Sequence, residues 1–142
     1  MSNLSFDILR EANRTRLPLF KNGKGELAHT DADGSDWSPS DWMTALVGEV
    51  GEAANLLKKL RRGDFTLDDG VHEHGKTITV RAWLAKELAD SVCYLDLLAN
   101  RFGIDLGEAV VAKFNEISQR VDVPVFIVPG EEDRYEVSKV NP

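Results

Sequence analysis

The chain has 142 residues, of which 42% are hydrophobic and 29% charged, a size and composition typical of one folded domain. Its 24 acidic residues outnumber 17 Lys and Arg, and the formal net charge of −7 excludes the basic surface of a protein that coats nucleic acid. A single cysteine, Cys93, excludes a disulfide framework. Because no apolar run reaches the roughly 20 residues of a membrane span and no signal-peptide core is present, we expect a cytoplasmic protein without membrane or nucleic-acid partners.

The first predicted helix runs from Ser5 to about Arg16, where Pro18 ends it. Its apolar stripe is formed by Phe6, Ile8, Leu9 and Ala12. Residues 21–40 are rich in Gly, Asp and Ser and predict a long loop. Loops of this length in compact domains are often functional.

The second predicted helix runs from about 41 to 62, with Ser38 or Ser40 as its N-cap and Gly63 at its end. Residues 63–79 are polar and predict a linker, with a short turn or strand near its end. His72 and His74 lie in this linker without further ligands at metal-binding spacing, so we expect both side chains to be solvated.

A third helix is predicted over about 81–102, and a fourth follows a capping signal at Asp105 and continues to about Arg120. Residues 121–128 are β-branched and extended at most, and we expect the charged remainder after Pro129 to be frayed. No pattern predicts a sheet of any size. The fold class is therefore all-α, a bundle of four to five helices.

Two acidic residues lie on the inward face of the second helix. At about 100° per residue, Trp42, Ala53 and Leu56 fall within about 40° of Glu49, and Glu52 lies about 60° to one side. Glu49 therefore projects from the apolar stripe of this helix rather than from its solvent face.

The third helix repeats this arrangement, because Trp83, Tyr94 and Leu98 surround Glu87, and Asp90 lies about 60° away. Carboxylates that converge inside a fold must either bind protons or attract a cation. Oxygen ligands on rigid helices suit a hard cation, so Glu49, Glu52, Glu87 and Asp90 predict a site for Mg²⁺, with Mn²⁺ as the alternative. Because one protomer has too few helices to enclose four carboxylates, we expect oligomerisation to complete the bundle.

The two acidic pairs, Glu49-x-x-Glu52 and Glu87-x-x-Asp90, resemble the ExxE…ExxD signature of the MazG-like all-α nucleoside triphosphate pyrophosphohydrolases. The surrounding blocks agree in order, and they are ALVGEVGEAANLLKKLRRGD at 45–64, KELADSVCYLDLLANRFGIDL at 86–106 and KFNEISQR at 113–120. The resemblance covers about residues 37–120, the core of a single domain over 1–142 with an extended tail at 121–142. The segment between the acidic pairs is longer than is usual in the family.

The resemblance implies a helical bundle assembled as a homodimer or a dimer of dimers. It also implies Mg²⁺-dependent cleavage of a nucleoside triphosphate between its α- and β-phosphates, which releases a monophosphate and pyrophosphate. A dCTPase-like or dUTPase-like branch is one candidate placement. Tyr94 and Asn115 match positions that contact sugar or base, and Trp37 with His29 matches, less closely, an aromatic lid. These residues favour a pyrimidine deoxynucleotide, while dATP, dGTP or a damaged nucleotide stay open.

Phosphoanhydride hydrolysis requires neutralised phosphate charge and a water that attacks in line. The metal ligands would supply the first, and Glu49 or Glu52 would act as general base. The basic candidates for binding the phosphates are Lys59, Arg61, Lys113 and Arg120. Cys93 lies off the acidic face and is expected to be a packed or partly exposed thiol.

Two other functions are compatible with a helical protein of this kind. A di-metal carboxylate oxidoreductase bundle would require a His three residues after an inward-facing Glu, and neither acidic pair has one. A non-catalytic helical module that binds a nucleotide or a partner would keep the fold without the chemistry. Metal-dependent nucleotide binding and a bound-iron spectrum distinguish these alternatives.

Overall fold

The computed structural model describes residues 4–31, 33–130 and 135–139, in which helices are the main element. The elements in chain order are α1 (Phe6–Arg16), a 3-10 helix (Leu17–Leu19), α2 (Pro39–Arg62), β1 (Gly70–Glu73), β2 (Lys76–Thr79), α3 (Val80–Arg101), α4 (Leu106–Arg120), β3 (Phe126–Pro129) and β4 (Tyr135–Ser138). The predicted helical content is confirmed. The expectation of no sheet is wrong, because the four strands form two small hairpins.

Local sequence signals set the bounds of α2. The Ser38 side chain accepts a hydrogen bond from the Asp41 backbone, and the Asp41 carboxylate accepts one from the Ser38 N–H at 2.8 Å, which forms a capping box. Pro39 occupies the first turn, where its missing N–H costs nothing. Gly63 ends the helix in the left-handed region at φ 77°.

The longest helices, α2 and α3, pack along each other and form the core. Its centre is made of Trp42, Leu97 and Leu98. Half-buried Leu17, Trp37, Leu46 and Tyr94 pack around this centre. Because truncation of a buried tryptophan typically costs about 3–5 kcal/mol, Trp42 is a main source of stability for the helix pair.

Helix α1 covers the other face of α3 through polar groups. Asp96 is fully buried there, and its carboxylate accepts hydrogen bonds from Arg10 Nε at 2.7 Å and Asn13 Nδ2 at 3.0 Å. The predicted apolar stripe of α1 is not its packing face, since Phe6 and Ile8 are exposed. Paired polar groups rather than apolar area therefore fix α1 on α3.

The predicted linker at 63–79 contains a hairpin in which β1 and β2 pair antiparallel. His74 and Gly75 form its two-residue turn, and both have positive φ, as a type I′ turn requires. The His72 and His74 side chains are exposed, as predicted.

The tail after α4 folds back on this helix as a second hairpin. Strand β3 pairs antiparallel with β4, and Asn115 Nδ2 and Oδ1 bond to the carbonyl and amide of Ile127, each at 2.8 Å. Phe126 is buried. The expectation of a frayed tail is therefore wrong for 135–138, whereas 131–134 and 140–142 lie outside the described residues.

Candidate metal centre and substrate pocket

Three of the four predicted metal ligands meet between α2 and α3. Glu49, Glu52 and Glu87 each place a carboxylate oxygen within 4.8 Å of the others. Glu87 is 6% exposed, Glu49 is half-buried and Glu52 is exposed, so the cluster opens from the helix interface towards solvent. This arrangement follows from the position of each pair on the packing stripe of its helix.

The fourth predicted ligand, Asp90, is exposed and is not part of this trio. It lies one turn after Glu87 and lines a pocket together with Glu49. Its negative charge is the largest electrostatic contribution that raises the pKa of Glu49. Asp90 is therefore an electrostatic neighbour of the cluster at its pocket side.

The electrostatics of this cluster fit a cation. Burial raises the pKa of Glu49, and the charges of Asp90, Glu52 and Glu87 and a hydrogen bond with Glu87 raise it further. Within residues 4–31, 33–130 and 135–139, none of the ion pairs includes any of these four carboxyl groups. Several carboxylate oxygens without a basic partner are a donor set that suits Mg²⁺ or Mn²⁺.

A pocket of about 260 Å³ opens next to the carboxylates. It is enclosed by α1, the following loop, α2 and α3. Its lining residues are Asn13, Arg16, Leu17, Phe20, His29, Glu49, Asp90, Cys93, Tyr94 and Leu97. The predicted Tyr94 and His29 thus lie in one cavity with Glu49 and Asp90. Burial and then the charges of these two acids raise the pKa of the Tyr94 hydroxyl.

Aromatic rings stack at one side of this pocket. His29 is 8% exposed and stacks on Trp42 with ring centroids 4.9 Å apart and an angle of 22° between planes. Trp37 meets His29 edge-on at 4.8 Å and packs on the core, which is where the structure places this predicted lid residue. Burial, and then the charge of Arg16, lower the pKa of His29, whose buried Nδ1 has no hydrogen-bond partner among the described residues.

The predicted phosphate-binding residues are not gathered in this pocket. Lys59 and Arg61 lie in the last turn of α2, and Lys113 on α4 pairs with Glu116 at 2.6 Å. Arg120 ends α4 and is exposed. Among the described residues, those that line the pocket include none from α4, and the predicted Asn115 is engaged by β3. Their substrate contacts stay predictions.

Sequence reasoning missed the wall that α1 and its following turn contribute. Asn13, Arg16 and Phe20 line the pocket, and so does Cys93, which is a half-buried free thiol as expected. The spacing of Asn13 and Arg16, one turn apart on α1, was the available signal. This signal was weak because the sequence of α1 alone does not indicate which helix α1 packs against.

The mainly helical fold agrees with the class of protein that the resemblance implies, and the acidic residues lie on two helices that pack together. No protein-family model matches the chain. The curated protein dCTP pyrophosphatase 1 of Mus musculus is 35% identical over 104 residues, which cover 70% of this chain and 56% of the mouse protein. The Bos taurus protein of the same name is 34% identical over 104 residues, 70% of this chain and 57% of that protein.

The Homo sapiens protein with this name is 37% identical over 84 residues, 56% of this chain and 46% of the human protein. The predicted resemblance is confirmed, because these relatives form a branch of the MazG-like all-α nucleoside triphosphate pyrophosphohydrolases. The chain spans about half the length of the curated relatives it matches.

None of the helices in the described part of the chain combines the length and apolarity of a membrane span.

Proposed function

We propose that this protein is a Mg²⁺-dependent pyrophosphohydrolase that cleaves a deoxynucleoside triphosphate between its α- and β-phosphates. The observation that carries the proposal is the meeting of Glu49, Glu52 and Glu87 beside a pocket that also contains Tyr94 and His29. The names of the mouse and bovine relatives support it and make dCTP the first substrate to test. Mn²⁺ is the alternative ion.

The carboxylates would divide the work of hydrolysis. Glu49, Glu52, Glu87 and Asp90 would hold the ion, which when bound neutralises phosphate charge and lowers the pKa of a coordinated water. Glu49 or Glu52 would accept the proton of the attacking water. The oxygen of this water forms the new bond to phosphorus, the α–β anhydride bond breaks, and pyrophosphate and the monophosphate leave.

Pyrophosphate release measured with a panel of nucleoside triphosphates, with Mg²⁺ and with EDTA, tests this proposal. We expect hydrolysis only with the metal, and loss of hydrolysis in Glu52→Gln. Glu11→Gln is the matched control, because Glu11 is an exposed acid on α1 outside the pocket and should leave the rate unchanged.

Two outcomes favour the other functions. Metal-dependent nucleotide binding without any release of pyrophosphate would support a non-catalytic nucleotide-binding module. A bound-iron spectrum with redox activity would support a di-metal oxidoreductase. Release that persists in EDTA, or in Glu52→Gln, would contradict the proposed site.

We also propose that a second copy of the chain covers the exposed apolar faces of the helices. Apolar side chains recur at helical spacing and are exposed on α2 (Met43, Val47, Val50, Leu57), on α3 (Leu88, Val92, Leu95) and on α4 (Val110, Phe114, Ile117). A homodimer or dimer of dimers would bury them, and it offers the means to bring Lys113 and Arg120 of one copy to the pocket of another.

The molar mass in solution, measured by light scattering, tests this assembly. We expect Val47→Lys to lower the mass towards that of a monomer, and Asn55→Lys, an exposed substitution on a different face of α2, to leave it unchanged. A wild-type monomer would contradict the proposal.

A nucleotide substrate and the free thiol of Cys93 favour a cytoplasmic location.

A further inference from the structure

Among the described residues that line the pocket, Arg16 is the one arginine or lysine. It is the last residue of α1, and the proposed hydrolysis does not use it. A guanidinium presents five N–H donors in a fixed plane and remains charged at every relevant pH. This side chain therefore places a permanent, directional donor in the cavity that also holds Tyr94 and His29.

A chain of hydrogen bonds holds Arg16 in place. Arg16 Nη2 donates to Asn13 Oδ1 at 3.2 Å, and Asn13 Nδ2 donates to Asp96 Oδ2 at 3.0 Å. The other oxygen of Asp96 accepts from Arg10 Nε at 2.7 Å. Asn13 is 3% exposed, so both ends of its amide are fixed inside the fold. This anchoring reduces the rotamer freedom that Arg16 would otherwise lose on binding a ligand.

Arg16 belongs to the aromatic end of the pocket rather than to its acidic end. Leu17 and Phe20, which follow it within one turn of the chain, line the pocket with it, and the Phe20 ring centroid lies 5.3 Å from that of His29. In agreement, burial and then the charge of Arg16 lower the pKa of His29. The acidic end is formed by Glu49 on α2 and Asp90 on α3. Phosphates bound through a metal ion would lie beside Glu49, so the guanidinium is placed to meet the base.

We propose that Arg16 is a specificity-determining residue that donates hydrogen bonds to the edge of the nucleobase, and that Asn13 positions it. The inference rests on the proposed function, because it assumes that the pocket accepts a nucleotide. Paired guanidinium donors match two neighbouring acceptors best. Cytosine presents such a pair in O2 and N3, and guanine in O6 and N7, whereas an N–H group separates the two carbonyls of uracil.

Binding of dCMP, dGMP, dUMP and 2-deoxyribose 5-phosphate in Mg²⁺, measured by calorimetry, tests the contact without requiring hydrolysis. We expect Arg16→Ala to weaken dCMP or dGMP about 10- to 100-fold, the range for a hydrogen bond from a charged donor. The same variant should weaken dUMP less and leave the sugar phosphate within about twofold of the wild type.

Arg14→Ala is the matched control. Arg14 is an exposed cation on the same helix that donates to Asn100 Oδ1 at 2.7 Å and lies outside the pocket lining. Its removal should leave the affinity for each of the four probes unchanged. A loss equal to that of Arg16→Ala would show a general charge effect and overturn the inference.

Other outcomes separate the inference from the proposed activity. If Arg16→Ala weakens all four probes equally, the guanidinium binds phosphate and the inference is wrong. If the wild type releases pyrophosphate while Arg16→Ala keeps its base selectivity, the inference fails and the activity stands. If the wild type binds dCMP or dGMP through Arg16 but hydrolyses no nucleotide, the activity fails and the inference stands. A wild type that binds none of the four overturns the inference.

A double-mutant cycle tests the positioning role of Asn13. We expect Asn13→Ala to reduce the ratio between the Kd for the sugar phosphate and the Kd for the preferred nucleotide by several-fold. In the Arg16→Ala background the same substitution should leave this ratio unchanged, because Asn13 acts through Arg16. If Asn13→Ala reduces this ratio equally with and without Arg16, Asn13 does not act through Arg16 and its positioning role is wrong. A general loss of stability would lower the affinity in both backgrounds, so it would not produce an effect that disappears when Arg16 is absent.

Discussion

Helix α3 buries two carboxyl groups, Glu87 and Asp96, on opposite faces, and the fold treats them differently. Asp96 is 0% exposed and lies between Arg10, which neutralises its charge, and Asn13, so that each of its oxygens accepts a hydrogen bond. Glu87 is 6% exposed and lies against the acids Glu49 and Glu52.

Burial of a carboxylate costs free energy unless a partner of opposite charge is present. At Asp96 the chain supplies that partner from α1, and the result is a joint between two helices. At Glu87 the nearest acidic groups among the described residues add further negative charge, which either a proton or a bound cation has to compensate. The comparison distinguishes a carboxylate that joins two helices from one that we propose to bind a metal ion.

The largest effect is expected at the structural carboxylate. Asp96→Ala should lower the free energy of unfolding by about 3–5 kcal/mol, because it leaves the largely buried Arg10 without its partner. Urea denaturation measures this change. As a control, Asp68→Ala removes an exposed ion pair with Arg81 and should cost about 1 kcal/mol or less. Equal costs in the two variants would contradict the contrast.

The binding carboxylate should behave in the opposite way. Glu87→Gln removes a charge that repels its neighbours, so we expect the metal-free protein to be as stable as the wild type or more so. Pyrophosphate release should nevertheless fall by more than about 100-fold, since even residues that only support metal ligands contribute about 10- to 100-fold. Thermal denaturation in EDTA and a release assay in Mg²⁺ measure the two effects. A destabilised variant with normal release would reverse the roles given to Glu87 and Asp96.

A smaller effect depends on pH. Burial and neighbouring carboxylates raise the pKa of Glu49 in the metal-free fold above its ordinary 4.5. Its ionisation therefore destabilises the native state as the pH rises through the interval above that value. In EDTA, Glu49→Gln should have a higher Tm than the wild type at pH 7 and a similar Tm at pH 4. A difference in Tm that is the same at both pH values would contradict this origin.

The smallest effect is expected at Asn115, whose polar groups, like those of Asp96, find their partners within the chain. Asn115→Leu removes both bonds to Ile127 and should loosen the tail, with a cost of about 1–2 kcal/mol. Faster proteolysis after α4, with unchanged KM, is the expected result. A raised KM with unchanged proteolysis would instead support the substrate contact predicted from the sequence.

The helices could be predicted closely because their signals are local. Gly63 ends α2 and Asp105 caps α4, as the sequence indicates, and Ser38 caps α2, which decides between the two candidates Ser38 and Ser40. The convergence of Glu49 and Glu87 was also predictable, because both lie on the stripe by which their helices pack. Local periodicity is enough to predict which side chains converge when two helices pack through their apolar faces.

The docking of α1 could not be predicted, because it depends on pairs of residues far apart in sequence. On a helical wheel Asp96 falls on the back of α3, which is a solvent face unless another helix covers it. Arg10 and Asn13 cover it through polar contacts that leave no periodic signal. The place of Arg16 in the pocket was missed for the same reason.

The sequence predicted a short turn or strand near the end of 63–79 and at most an extended segment at 121–128. It did not predict that strands pair there into two hairpins, because the strands have four residues each, too short for a period to register. The turn at His74 and Gly75 was the clearest signal available for the first hairpin. The second depends on Asn115, which anchors β3 from a neighbouring helix.

The pocket is assembled from two separate stretches of sequence. Arg16, Phe20 and His29 come from the region before α2, whereas Glu49 and Asp90 come from the helix pair. Under the proposed function, substitutions in the first stretch would therefore alter which base is preferred without displacing the acids proposed to hold the ion. A chain with the proposed activity that is built in this way would be able, during divergence, to exchange one nucleotide substrate for another while it keeps the same reaction.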